Sequence, residues 1–171
     1  QSEQTLIAAG IPFFYPRSIH DISPMGLKAF ALSRHAGCCV GLKITVDTAD
    51  ASAVVNLDQI RPAITVPDPP AHVHIGRHDP ALLREWRLFT QRLPAVASFQ
   101  QTNHINYPSG IGAQSGRLGL IAVGKAYLET IDALESLGIK NPAAAGIGLV
   151  PVVMPWPLMP DPLVAFWRHF D

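Results

Sequence analysis

The residues that could do chemistry fall into a few small groups. Val123-Gly124-Lys125 follows an apolar run and invites a phosphate-binding reading. A dinucleotide fingerprint needs three spaced glycines, and a phosphate loop needs a longer glycine-rich stretch ending in Lys and Ser or Thr. A single glycine after a strand reads as a turn. His72, His74 and His78 alternate on one segment, where extended backbone could point them the same way towards a transition metal. No thiol or carboxylate pattern completes the set, and Asp79 is better placed as a helix N-cap, so solvated histidines are the preferred reading. Cys38 and Cys39 are neighbours, too close for ordinary disulfide geometry, and are expected as buried, reduced thiols. A G-x-S-x-G elbow is absent. Glu85, Glu129 and Glu135 fall on the polar faces of amphipathic helices and read as solvated. No catalytic residue and no metal ligand is assigned.

The elements that would position these groups alternate. Residues 4–9 form a short apolar segment closed by Gly10. Ile11 to Tyr15 reads as a buried strand, weakened by Pro12. Residues 18–36 read as a helix with two competing starts: Ser18 with Asp21 as a capping box, or Ser23 followed by Pro24 as N-cap and first-turn proline. Leu27, Phe30 and Ala31 form its apolar stripe, and Gly37 closes it. Cys38 to Val46 reads as a strand with Val40, Leu42, Ile44 and Val46 alternating. Strand, helix, strand predicts a parallel β/α unit. Pro62, Pro67, Pro69, Pro70 and Pro80 then mark a linker. Asp79-Pro80 starts a helix over about 80–99, with Leu82, Leu83, Trp86, Phe89 and Leu93 as its apolar face and Pro94 interrupting it. Residues 103–115 read as loop. A second unit follows: short buried strand Leu118 to Val123, turn at Gly124, helix Lys125 to Leu137 with Tyr127, Ile131 and Leu134 inward, C-cap Gly138, strand Leu149 to Met154, and a helix from Asp161-Pro162.

The fold class is therefore α/β: two incomplete parallel β/α units joined by a proline-rich linker. Residues 1–60 hold the first unit, 61–115 the linker with its one helix, and 116–171 the second. A doubly wound sheet normally has more strands to cover its core, so both units are expected to be parts of larger domains. The chain opens on Gln1 rather than Met, and its true N-terminus is expected upstream.

Hydrophobic residues make up 48 % of the chain and charged residues 15 %, well below the usual share of about a quarter. Much of the surface is expected to be covered by the rest of a longer polypeptide, by partner subunits, or by copies in a homo-oligomer. Formal net charge is zero, which excludes nucleic acid and anionic membranes as partners recognised through bulk charge. No apolar run reaches about 18 residues and no signal peptide is visible, so a cytoplasmic location is expected.

A series of stretches carries a family resemblance. Gln1-Ser2-Glu3 leads into a short helix. Phe30-Ala31-Leu32-Ser33-Arg34 follows, then Gly37-Cys38, Val40-Gly41, Lys43, Asp47-Thr48 and Ala51-Ser52. Later come Gly116-Arg117-Leu118-Gly119, Gly124-Lys125-Ala126-Tyr127-Leu128, Ala133-Leu134, Trp156-Pro157-Leu158 and Pro160. In this order the chain resembles the large fused indolepyruvate ferredoxin oxidoreductases of bacteria, which are thiamine-diphosphate enzymes of 2-oxoacids. The resemblance is weakest at residues 67–80 and 100–115. It implies that residues 1–60 end a pyrimidine-binding domain and that residues 116–171 begin a transketolase-C-terminal-like domain. It also implies a parent enzyme using thiamine diphosphate, magnesium and iron–sulfur clusters to turn a 2-oxoacid into acyl-CoA and CO2, with coenzyme A and ferredoxin as partners. The activating glutamate, the Gly-Asp-Gly metal–diphosphate motif and the cluster cysteines of that family have no counterpart here. No cofactor site is therefore complete in this chain, and the chain alone is expected to be inactive. The resemblance places Gln1, Ser2 and Glu3 at the border of the substrate pocket, with no catalytic role.

Overall fold

A computed structural model describes residues 2–56, 60–68, 70–108 and 112–170, so Gln1 and Pro69 lie outside the described residues. The elements run α1 (Ser2–Ala8), β1 (Phe13–Phe14), α2 (Ile19–Ala36), β2 (Gly41–Leu42), α3 (Val46–Ala49), α4 (Ala81–Arg87), a π-helical turn (Leu88–Arg92), α5 (Leu93–Thr102), β3 (Leu118–Val123), α6 (Ala126–Ser136), β4 (Ile147–Val152) and α7 (Pro160–Trp167). Two β/α units result. β1 pairs with β2 in parallel, Phe13 opposite Gly41, and β3 pairs with β4 in parallel, Leu118 opposite Ile147 through Val123 opposite Val152. Each pair is crossed over by its helix, α2 or α6. This is a mixed, α/β type of architecture.

The first unit is shorter in strand than its sequence predicts. Pro12 and Pro16 flank β1 and bring no N–H, so the ladder stops at two residues. The carbonyls of Pro12 and Phe14 accept from Gly41 and Lys43. On the other edge of β1, Phe13 and Tyr15 donate to Trp156 and Val153. Val46, expected as the end of a strand, instead opens the short helix α3. Gly37, at φ +64°, closes α2 in the left-handed conformation, as its position predicts.

Several expected helix details are corrected. Of the two α2 starts the first holds in position: Ser18 occupies the N-cap and Pro24 lies inside the helix, but the capping box does not form, because Ser18 makes no side-chain cap bond and Asp21 is taken by Arg17. The stripe of Leu27 and Phe30 faces outward, Phe30 being 72 % exposed, while Met25, Leu32, His35 and Ala36 are buried. Asp79 does not cap α4. Its carboxylate accepts the Gly76 N–H and pairs with Arg87. The expected face of Leu82, Trp86 and Phe89 is exposed. Pro94 explains the change: it cannot bond the carbonyl four residues back. Immediately before it, the Leu93 N–H reaches five residues back to Leu88. That π-helical step rotates the helix, and Arg92, Ala95, Val96, Phe99 and Gln100 become the buried face.

The principal core gathers Phe14, Met25, Leu32, Ala36, Val73, Ala95, Val96, Phe99, Ile105 and Met154. The 61–115 segment therefore supplies half of it, which a linker reading does not anticipate. In the second unit Tyr127 and Leu134 pack with Ile147 and Leu149 on one face of β4. On the other face, Val150 and Val152 pack with Leu163 and Phe166 of α7. All six residues of β4 are buried, as befits a parallel strand covered on both sides.

Candidate functional site

A cleft of about 380 Å³ opens where the carboxyl ends of β1 and β4 meet the N-terminal half of α2 and the turn after α5. Ligands of α/β proteins commonly sit in such crevices beyond the carboxyl ends of strands. Arg17, Asp21 and Lys28 supply its charges. Phe14, Met25, Ile105 and Val153 supply apolar wall, and His104, Asn106 and Tyr107 come from the turn.

Arg17 and Asp21 are one turn apart and locked together. Arg17 Nε donates to Asp21 Oδ2 at 2.7 Å, Nη2 to Oδ1 at 2.9 Å, and the Arg17 backbone N–H to Oδ2 at 3.0 Å. Such a fork-on-carboxylate pair is strong and directional. The Asp21 carboxylate raises the pKa of the guanidinium, which also lies 5.6 Å from the centre of the Tyr127 ring. Lys28 has no ion pair among the described residues, and burial pushes its pKa down.

The turn is held by Asn106. Its Nδ2 donates to Met154 O at 2.7 Å, and its Oδ1 accepts the N–H groups of Val153 and Met154 at 2.8 and 2.9 Å. Asn106 and His104 both have positive φ, 64° and 49°. For non-glycine residues that conformation is costly and persists only where surroundings enforce it. His104 lies exposed beside the Tyr107 ring, 5.0 Å centre to centre and edge-on. The site is thus pre-shaped, cationic on one wall and apolar on another. The one carboxylate among the described residues lining it is paired with Arg17.

Sequence reasoning placed none of these residues in a site. The available signals were the i, i+4 pair Arg17–Asp21 and the Asn-His-Ile-Asn-Tyr-Pro run at 103–108, where asparagine tolerates left-handed backbone. The residues it did single out are dispersed. Ser2 and Glu3 sit in the first turn of α1, away from the cleft lining. Glu3 pairs with Lys43, which holds its carboxyl down at about 2, and Lys43 lies 4.1 Å from the centre of the Tyr15 ring. Gln1 is outside the described residues. Lys125 pairs with Asp47 at 2.6 Å and with Glu129 at 3.2 Å, and the Gly124 turn packs against Tyr15. That turn is a packing contact between the two units. His72, His74 and His78 are all exposed, as are Glu85, Glu129 and Glu135. Both cysteines are free, but neither is fully buried: Cys38 is half-buried and Cys39 exposed, because the strand starts only at Gly41. Burial pushes the Cys38 thiol up to about 11, which leaves little thiolate at neutral pH.

The parallel β/α units define an α/β type of architecture, with a cleft at their strand ends. Residues 109–171, which include β3, α6, β4 and α7, match the family model of the indolepyruvate oxidoreductase domain. The match leaves residues 1–108 uncovered. No curated protein matches the chain. Among the described residues no helix is long and apolar enough to cross a membrane.

Such a family implies a magnesium-bound diphosphate and iron–sulfur clusters. A diphosphate-bound magnesium needs hard oxygen ligands, and an iron–sulfur cluster typically needs four thiolates. Among the described residues no three His, Cys, Asp or Glu side chains gather around a common point. The chain has only two cysteines, adjacent to each other. The described residues do not fit either group.

Proposed function

We propose that this chain is part of a thiamine-diphosphate-dependent 2-oxoacid:ferredoxin oxidoreductase of the indolepyruvate type, in the fused bacterial form. The match of residues 109–171 to the indolepyruvate oxidoreductase domain carries the reading. The ordered motifs outside that span and the paired β/α units support it. In this reading residues 1–60 end a pyrimidine-binding domain, residues 116–171 begin a transketolase-C-terminal-like domain, and Gln1, Ser2 and Glu3 border the substrate pocket. The remainder of the polypeptide, or partner subunits, hold thiamine diphosphate, magnesium and the iron–sulfur clusters. Ferredoxin and coenzyme A are the partners of the whole enzyme, which works in the cytoplasm. Thiamine catalysis aligns a cofactor between two domains. A chain carrying only parts of those two domains is expected to be inactive alone.

The test uses the polypeptide encoded by the whole reading frame, purified without oxygen and supplied with thiamine diphosphate, magnesium and coenzyme A. Indolepyruvate-dependent reduction of ferredoxin or methyl viologen is expected. If neither indolepyruvate nor any other aryl or branched 2-oxoacid drives reduction, the reading is wrong.

One observation favours a second reading, a non-catalytic interface module. Phe30, Leu82, Trp86, Phe89 and Trp167 are exposed, and exposed aromatic surface is characteristic of association. This reading expects self-association in sedimentation. A dispersed monomer counts against it.

A further inference from the structure

We propose that the cleft between α2 and the 104–108 turn binds a small organic anion, one carboxylate or phosphate group on an apolar body, with the Lys28 ammonium as its anchor. The inference uses the cleft alone and is independent of the oxidoreductase reading.

Lys28 lines the cleft and has no ion pair among the described residues. The acid nearest along its own helix, Asp21, has both oxygens committed to Arg17. The wall therefore carries two cations against one carboxylate. Burial already weakens the protonated form of Lys28, as expected for a half-buried cation without a partner. An anionic group in the cleft supplies that partner. Phe14, Met25 and Ile105 are buried apolar residues on the same lining, and they suit a body about the size of one ring. A volume of about 380 Å³ accommodates such a ligand. The turn that closes the cleft is fixed in advance by the three bonds of Asn106, so little ordering remains to be done on binding. Tyr107 and His104 add hydrogen-bonding groups at the rim.

Calorimetric titration of the unaltered chain at low ionic strength tests this with benzoate, phenyl phosphate, neutral benzamide and inorganic phosphate. At least one aryl anion is expected to bind, and the tighter of the two identifies the head group. Benzamide and inorganic phosphate are each expected to bind about ten-fold more weakly or worse, and Lys28→Met to weaken the aryl anion by about ten-fold while Lys28→Arg retains it. Equal affinity for benzamide, equal affinity for inorganic phosphate, or undiminished binding to folded Lys28→Met overturns the proposal. So does the failure of both aryl anions to bind at about 10 mM. Should Lys28→Met not fold, amide chemical shifts of the unaltered chain decide. Perturbation at Lys28, His104 and Asn106 is expected, and perturbation confined to other residues overturns the assignment.

Discussion

The two β/α units have the same topology and hold together differently. In the second, β3 and β4 pair over six residues each, and side chains cover both faces of β4. In the first, β1 and β2 pair over two. Its order comes from α2 packing on α5 and from the segment after β4, which bonds the free edge of β1 and places Met154 in the principal core. A parallel ladder needs a run of backbone donors, and the prolines around β1 remove them. Side-chain packing takes over that role. The first unit therefore leans on the second, and the dependence is carried by residues 153–156.

The sharpest way to break this comparison is to empty the core of the first unit. Phe99 is fully buried there, and Phe99→Ala is expected to cost about 3–5 kcal/mol in urea unfolding. Because Met154 and the Tyr15–Val153 bond join the units, the loss should appear as one transition. Hydrogen exchange at the β4 amides should weaken together with exchange in α2. Retained β4 protection beside a melted α2 would show the second unit to be independent.

A smaller effect isolates the other contact between the units. Gly124 and Gly138 both have positive φ, 53° and 83°. A Cβ at Gly124 would meet the Tyr15 ring at 2.5 Å, whereas at Gly138 it meets open space. Gly138→Ala is expected to cost roughly 1 kcal/mol from backbone strain alone. Gly124→Ala should cost about 1–3 kcal/mol more, through overpacking against Tyr15. Thermal melts of the two variants compare them directly. Equal losses would remove the Tyr15 contact from the account.

The same contrast explains what could be read in the sequence. The strand Leu118–Val123, the turn at Gly124, the inward Tyr127 and Leu134, and a following strand were legible from local pattern, although Leu118, Ile121 and Val123 are exposed rather than buried and the following strand runs Ile147–Val152, two residues earlier than expected. In the first region local pattern and final environment diverge further. The alternation from Val40 to Val46 looks like a strand, yet β1 offers too short an edge to pair with it. Leu82, Trp86 and Phe89 keep helical spacing, but the π-helical step before Pro94 turns a different face inward. Val73 and Ile105 lie in segments whose prolines, glycines and polar residues suggest loop, and both are core residues. The cleft was illegible for a related reason. It joins residues 17–28 to residues 104–108 and 151–153, a meeting produced by tertiary packing and by an asparagine whose three bonds no local pattern announces.

The smallest expected effect concerns two ion pairs. Glu3–Lys43 is partly shielded, with side-chain exposures of 31 % and 20 %, while Asp47 in the Lys125 pair is 71 % exposed. Lys125 holds Asp47 below its ordinary value. Lys43 holds Glu3 at about 2, against an ordinary 4.5. Glu3 is thus a better acid in the folded chain than in the unfolded one. Its contribution to stability is fully present above pH 4.5 and is lost as pH falls through about 2. In a carboxyl chemical-shift titration Glu3 should titrate near the bottom of that window, and Lys43→Met should return it towards its ordinary value. Raising the salt to about 1 M should move Asp47 upward more than Glu3, because exposed pairs are screened first. A Glu3 midpoint unmoved by Lys43→Met would mean that Lys43 is held by Tyr15 alone and that α1 is not tied to the first unit through this pair.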